Sequence, residues 1–202
     1  MTKTQKQIQS EQTKQKIIES AIDLFSKKGF NFTSIADIAN STGITKGAIY
    51  HHFENKDAIF YAVLEGVRHL WREKVLRDLL GKSNAIDRLT TLFENHACII
   101  EEQENICLVL SGLVMEMDNV NDEFISALEE IFSDLTLLIE RIIERGQKKG
   151  EIRTDLESHL IALNLVGIME GSAIPWILNR TKISYNEYSR TQTKIVINGL
   201  KP

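Results

Sequence analysis

Apolar residues recur at helical spacing along most of the chain and seldom alternate with polar ones at period two. Ile17, Ile18, Ala21, Ile22, Leu24 and Phe25 mark one face of a first helix, which Thr13 would cap and Gly29 would end. Thr33 or Ser34 opens a short second helix carrying Ile35, Ile38 and Ala39 and closing at Ser41-Thr42-Gly43. Thr45 caps a third short helix through His52, and Asn55 and Asp57 open a long fourth that runs to about Leu80, where Gly81 closes it. Further helices are predicted at about 84–104, 106–118, 122–149, 155–180 and 184–199. Gly146 and Lys148-Lys149-Gly150 mark a helix end, with cations set against the C-terminal dipole. Pro175 removes a hydrogen bond to the Gly171 carbonyl and should kink or end its helix.

The pattern thus predicts an all-α fold of about nine helices, a head of three helices followed by a larger helical bundle. Helices are short before about residue 56 and long after it, which sets the expected boundary between a head at 13–56 and a body at 57–202. Residues 1–12 are polar and lack apolar periodicity, so they read as a flexible arm with Lys3 and Lys6 available to phosphate.

Composition supports this picture. The 202 residues hold only 2 prolines and 11 glycines, leaving long stretches free of helix breakers. The net charge of −4 argues against a protein that coats nucleic acid along its whole surface. The charge is uneven: Met1 to Phe60 carries 8 Lys/Arg against 6 Asp/Glu, and the remainder 16 against 22. A mildly basic head on an acidic body permits local contact with DNA. Cys98 and Cys107 have no CxxC spacing and read as reduced, buried thiols. The N-terminus lacks the apolar stretch of a signal peptide, and no run approaches the roughly 18 apolar residues of a membrane span. A cytoplasmic protein with no membrane partner is expected.

The chemistry concentrates in Ile35 to Glu54, IADIANSTGITKGAIYHHFE. A helix-turn-helix needs a small residue where its helices meet, and Ala39 supplies it. Four residues on, it needs one that tolerates positive φ, and Gly43 supplies that. Ile38, Ile44 and Ile49 would lock the two helices together. Thr45, Lys46, Ala48, Tyr50 and His51 form an outward face of short or hydrogen-bonding side chains suited to a major groove. Bland readings stand beside these: Tyr50 as a core aromatic, Lys56 as a solvated lysine. His51 and His52 cannot jointly chelate, because adjacent helical residues point about 100° apart; His52 reads as structural.

Residues 13–64 resemble the DNA-binding region of the tetracycline-repressor (TetR) family. The matching pieces are A-x-x-L-F-x-x-x-G-F, T-S-I-A-D-I-A and G-I-T-K-G-A-I-Y-H-H-F-E-N-K-D. Beyond them only general features match, such as the G-E-I-R turn at Gly150–Arg153. The resemblance implies a homodimer with a DNA-binding head and a ligand-binding body. It would bring Thr45, Lys46, Gly47 and Ala48 to base edges, Tyr50, His51 and Lys56 to phosphate, and Ser34 and Ala36 to DNA from the second helix. No arginine lies on the recognition face, which leaves Lys46 as the candidate for guanine. Double-stranded operator DNA and a small-molecule effector are the implied partners, and repression is a family inference.

In the body, Gly167 and Gly171 lie one turn apart and would let another helix approach closely. Leu160, Leu163 and Ile174 extend that face, and Tyr185, Tyr188 and Ile195 offer a matching stripe on the final helix, so these eight are the expected dimer interface. Effector-binding candidates are Trp71, Phe93, His96, Met115, Met117, Phe132 and Trp176, with Asn164 and Glu170 as polar groups, although such a set also fits plain core. His96 and Cys98 lack the further ligands of a metal centre. There is no Gly-rich phosphate loop, HExxH or G-x-S-x-G, so neither catalytic residues nor a cofactor are expected. A protein-interaction adaptor that keeps the helix-turn-helix without binding DNA is the alternative function.

Overall fold

The computed structural model describes residues 4–115, 122–179 and 182–202, with side chains at all of these except 75–77, 107, 111–115 and 124. Every regular element among the described residues is a helix: α1 (Gln5–Lys28), α2 (Ile35–Thr42), α3 (Lys46–His52), α4 (Lys56–Trp71), α5 (Ala85–Glu102), α6 (Glu104–Met115), α7 (Asp122–Lys148), α8 (Ser158–Gly171), α9 (Ala173–Asn179) and α10 (Tyr185–Leu200). Beyond Trp71, α4 continues through a π-turn at Arg72–Leu76 and a last turn at Arg77–Leu79. Counting α8 and α9 together, across the break at Ser172, gives nine helices among the described residues, the number the pattern predicts. Pro175 falls in the first turn of α9, where its missing N–H has no helical partner to lose.

The N-terminal arm needs correction. Helix α1 starts at Gln5, and Thr4 caps it in a reciprocal box: Gln7 N–H donates to Thr4 Oγ1, while Thr4 N–H donates to Gln7 Oε1. Thr13, the expected cap, lies inside the helix with its hydroxyl on the Gln9 carbonyl at 2.9 Å. Residues 5–12 are all exposed, so this stretch buries nothing that apolar periodicity could reveal. Gln, Lys and Glu without Gly or Pro still let the capped helix propagate.

Contacts divide the chain into two compact units, one up to Val67 with Leu108–Ile125, the other Arg68–Cys107 with Ser126–Pro202. The expected boundary at 56 is therefore too early. The first part of α4 completes the core of the head, with Ile59, Phe60, Val63 and Leu64 buried. The Phe30 ring lies 5.2 Å from that of Phe25 and 5.1 Å from that of Phe60, in edge-on and tilted geometry.

In the second unit, α5 packs extensively along α10. The core runs through Leu89, Leu92, Phe93, Ile139, Ile143, Ile161, Leu165 and Met169. The G-E-I-R turn ties together the ends of three helices. Gly150 takes φ +70°, and the N–H groups of Glu151 and Ile152 both donate to the Gly146 carbonyl. The Glu151 carboxylate accepts from Ala85 N–H at 2.7 Å, at the start of α5. Arg153 N–H donates to the Leu200 carbonyl at 2.9 Å, at the end of α10. Gly146 permits the close approach, since a Cβ there would lie 2.6 Å from Ala85 Cβ. Within α5, Asn95 Nδ2 donates to the Lys74 carbonyl of the π-turn at 2.9 Å.

Candidate functional site

The head is built from local signals. Ser34 caps α2 with its hydroxyl accepting from Asp37 N–H, and the Asp37 carboxylate accepts in return from Ser34 N–H at 2.9 Å and Ser34 Oγ at 2.5 Å. These bonds from Ser34, with Lys28 at 3.1 Å, hold the Asp37 carboxyl well below the usual carboxylate range. Gly43 ends α2 in the left-handed region at φ +70°, and its N–H donates to the Ala39 carbonyl at 2.9 Å. Thr45 then caps α3 by accepting from Ala48 N–H at 3.2 Å. Ile38 and Ile49 are fully buried, which fixes the faces that α2 and α3 present.

The opposite face of α3 is open. Thr45, Lys46, Gly47, Tyr50 and His51 are exposed, with Ala36 and Ala48 half-buried beside them. Tyr50 is 54% exposed, so the core reading of this ring is excluded; Ile49 and Phe53 occupy the buried side. A Cβ on Gly47 would meet nothing within 4 Å, so no packing of the head requires a glycine there. The His51 ring sits 5.4 Å from the half-buried His52 ring, edge-on.

Two of the residues expected at DNA are placed differently. Lys56 donates from Nζ to the Phe30 carbonyl at 2.7 Å and lies over the Phe30 ring at 4.1 Å. It holds the α1–α2 loop to α4 instead of standing free at the helix start. The Ser34 hydroxyl proton is committed to Asp37, so the side chain offers no donor to a phosphate in this arrangement.

In the second unit, α4, α5, α8 and α10 bring Trp71, His96, Glu170 and Tyr185 together. The His96 ring lies 5.6 Å from Trp71 and 6.4 Å from Tyr185, and its Nε2 is 3.6 Å from Glu170 Oε1. Tyr185 OH and Ser172 Oγ share a hydrogen bond of 2.5 Å, and Trp176 Nε1 donates to the Ile183 carbonyl at 2.8 Å. Phe93 is buried in the main core, and Phe132 packs half-buried against it. Asn164 must be withdrawn from this interior group: it is exposed and donates to the Leu160 carbonyl one turn back. The Met115 side chain and Met117 lie outside the described residues. Cys98 is exposed, contrary to the buried thiol expected, and the Cys107 side chain lies outside the described residues.

Of the interface candidates, Leu160, Leu163 and Ile174 are exposed at 54%, 45% and 50%, and Gly167, Gly171 and Ile195 are exposed with them. Leu178, 79% exposed, extends the stripe four residues past Ile174; the spacing i, i+4 could have found it. Tyr185 is a correction, since it is fully buried, and Tyr188 is half-buried against the same small cluster. Ser158–Asn179 is apolar enough to pass for a membrane span by length and composition, with mean hydropathy 1.6, which the count of apolar runs missed. It breaks at Ser172, and 44% of its most apolar 18-residue window is buried. Its remaining apolar surface is largely the exposed stripe.

Residues 17–63 match the family model described as bacterial regulatory proteins, tetR family, and residues 68–199 match the C-terminal region of YsiA-like protein. The chain is 22% identical to the fatty acid metabolism regulator protein of Bacillus subtilis (strain 168), over 91% of this chain and 93% of that protein. It is 26% identical to the HTH-type transcriptional repressor KstR2 of Rhodococcus jostii (strain RHA1), over 91% of this chain and 89% of that protein. Its fold superposes on the crystal structure of the transcriptional regulator FadR from Bacillus subtilis in complex with stearoyl-CoA, with a TM-score of 0.79 at 21% identity, covering 92% and 98% of the two chains. The MbdR regulator from Azoarcus sp. CIB gives a TM-score of 0.83 at 24% identity, covering 93% and 98%.

Proposed function

The chain belongs to the tetR family of bacterial regulatory proteins and is a DNA-binding transcriptional regulator, and from that premise we propose that it works as a homodimeric repressor released from a palindromic operator by a small molecule. The observation that carries the reading is the open face of α3, where Lys46, Gly47, Tyr50 and His51 are all exposed and nothing packs over Gly47. The N-terminal turn of α3 enters the major groove. Lys46 and the methyl groups of Thr45 and Ala48 meet base edges, and the flat face of Gly47 lets the helix sit close. Tyr50 and His51 bind flanking phosphates.

A palindrome requires two heads about 34–36 Å apart. The stripe of Leu160, Leu163, Gly167, Gly171, Ile174 and Leu178, joined by Ile195 on α10, supplies the surface for a second copy of the chain. The effector enters the second unit beside Trp71, His96 and Glu170, and shifts the population of a body conformation that alters head spacing through α4. Acting on chromosomal operators, the protein works in the cytoplasm.

Selection from a random duplex library with the purified protein tests the reading. A two-fold symmetric consensus is the expected result. No enrichment over the starting pool, or enrichment of an asymmetric site bound by one chain, would overturn it.

A further inference from the structure

The buried imidazole of His96 stands out among its polar neighbours. Tyr185, Ser172 and Trp176 all have hydrogen-bond partners within the unit. The His96 side chain is only 4% exposed, yet among the described residues neither ring nitrogen has a hydrogen-bond partner. Its Nε2 lies 3.6 Å from Glu170 Oε1, just beyond bonding distance, on a carboxylate that is 28% exposed. A side chain this enclosed usually has its polar atoms paired, and the unpartnered ring nitrogens keep slight access to solvent, so a small polar group can reach them. A group that donates to Glu170 and also bonds the imidazole would complete both residues.

We infer that His96 and Glu170 are a split recognition pair for the head group of an apolar effector, and that this head is a hydrogen-bond donor without negative charge, a hydroxyl or an amine. The inference rests on the reading of the second unit as effector-binding. The Trp71 ring, 5.6 Å from the imidazole, provides an aromatic surface for the apolar body of the molecule or for a cation. Glu170 disfavours an anionic head: a second negative charge about 5 Å away, at an effective dielectric near 20, weakens binding on the order of a hundredfold. Hydroxyl and amine share the donor chemistry and are separated by their dependence on the Glu170 charge.

The test uses the full chain and four probes on one skeleton: naphthylmethanol, naphthylmethylamine, naphthoate and naphthalene, with dissociation constants from calorimetry. The alcohol or the amine should bind at least about tenfold tighter than naphthoate and naphthalene, the usual worth of a hydrogen bond to a charged group. His96→Phe should erase that preference while keeping the ring volume. Glu170→Gln should erase it for an amine and only weaken it for a hydroxyl, and because Glu170 is partly exposed this variant decides the matter if His96→Phe does not fold. Equal or tighter binding of naphthoate, a preference unchanged in the folded variants, or no binding by any of the four would overturn the inference. Enrichment of a palindrome in the duplex selection is scored separately, so loss of the head-group pair and loss of the repressor reading give different results.

Discussion

On α3, Gly47 is exposed beside Lys46, Tyr50 and His51; on α8, Gly167 and Gly171 are exposed in line with Leu160, Leu163 and, past the break, Ile174. At all three glycines an added Cβ would meet nothing within 4 Å. Gly146 is the counter-case, with Ala85 Cβ 2.6 Å from the position of its missing Cβ. A glycine pressed against its own chain serves that chain's packing, whereas one facing open space leaves room for something else. The neighbouring side chains then indicate what that is. A cation, a phenol and an imidazole suit phosphates and base edges, while a leucine and isoleucine stripe suits another apolar helix face.

The contrast can be broken in four places. Ile174→Asp puts a charge on the apolar stripe and should raise the dimer dissociation constant more than about a hundredfold, roughly 3 kcal/mol; sedimentation that shows an unchanged dimer would remove this face from the interface. Gly146→Ala should destabilise the second unit by about 1–3 kcal/mol in urea, through overpacking against Ala85 and Ile152. Gly47→Ala should act with opposite signs on two readouts. Helix propensity gains up to about 1 kcal/mol of stability, while affinity for the selected duplex falls about tenfold because the helix is held off the groove. A variant equally tight on DNA would mean that α3 does not approach the bases at Gly47.

The smallest expected effect is electrostatic. The folded head holds Asp37 below its ordinary value of 3.8, so the box it forms with Ser34 contributes fully above about pH 4. That contribution is lost as the pH falls and the carboxyl protonates. Asp37→Asn should flatten the acid limb of head stability, followed by circular dichroism; an unchanged limb would place the acid sensitivity elsewhere.

The head was legible because its signals are short-range. Ser34 at the start of α2, Gly43 at positive φ and Thr45 at the next cap each act within four residues; the structure places Gly43 and Thr45 as the spacing implies and chooses Ser34 over Thr33 as the cap. The body was harder because its buried faces are not uniformly apolar. On α10 the sequence pattern groups Tyr185, Tyr188 and Ile195 on one surface. The buried face instead runs Tyr185, Ser189, Thr193, Ile197 and Leu200, with two small polar residues masking it from a hydrophobicity pattern. Thr193 satisfies its hydroxyl on the Ser189 carbonyl at 2.7 Å, which makes its burial tolerable. Lys56 shows the same limit from the other side. A lysine at a helix start reads as a phosphate ligand, and only the fold brings the Phe30 carbonyl within 2.7 Å of it.

Affinity for the selected palindromic duplex as a function of salt concentration tests the central claim most directly. A dimer that presents Lys46, Tyr50, His51 and the surrounding backbone to phosphates should lose affinity linearly in log–log form with a slope of several units, and should bind a scrambled duplex far more weakly at every salt concentration. A flat salt dependence, or equal affinity for the scrambled duplex, would contradict it.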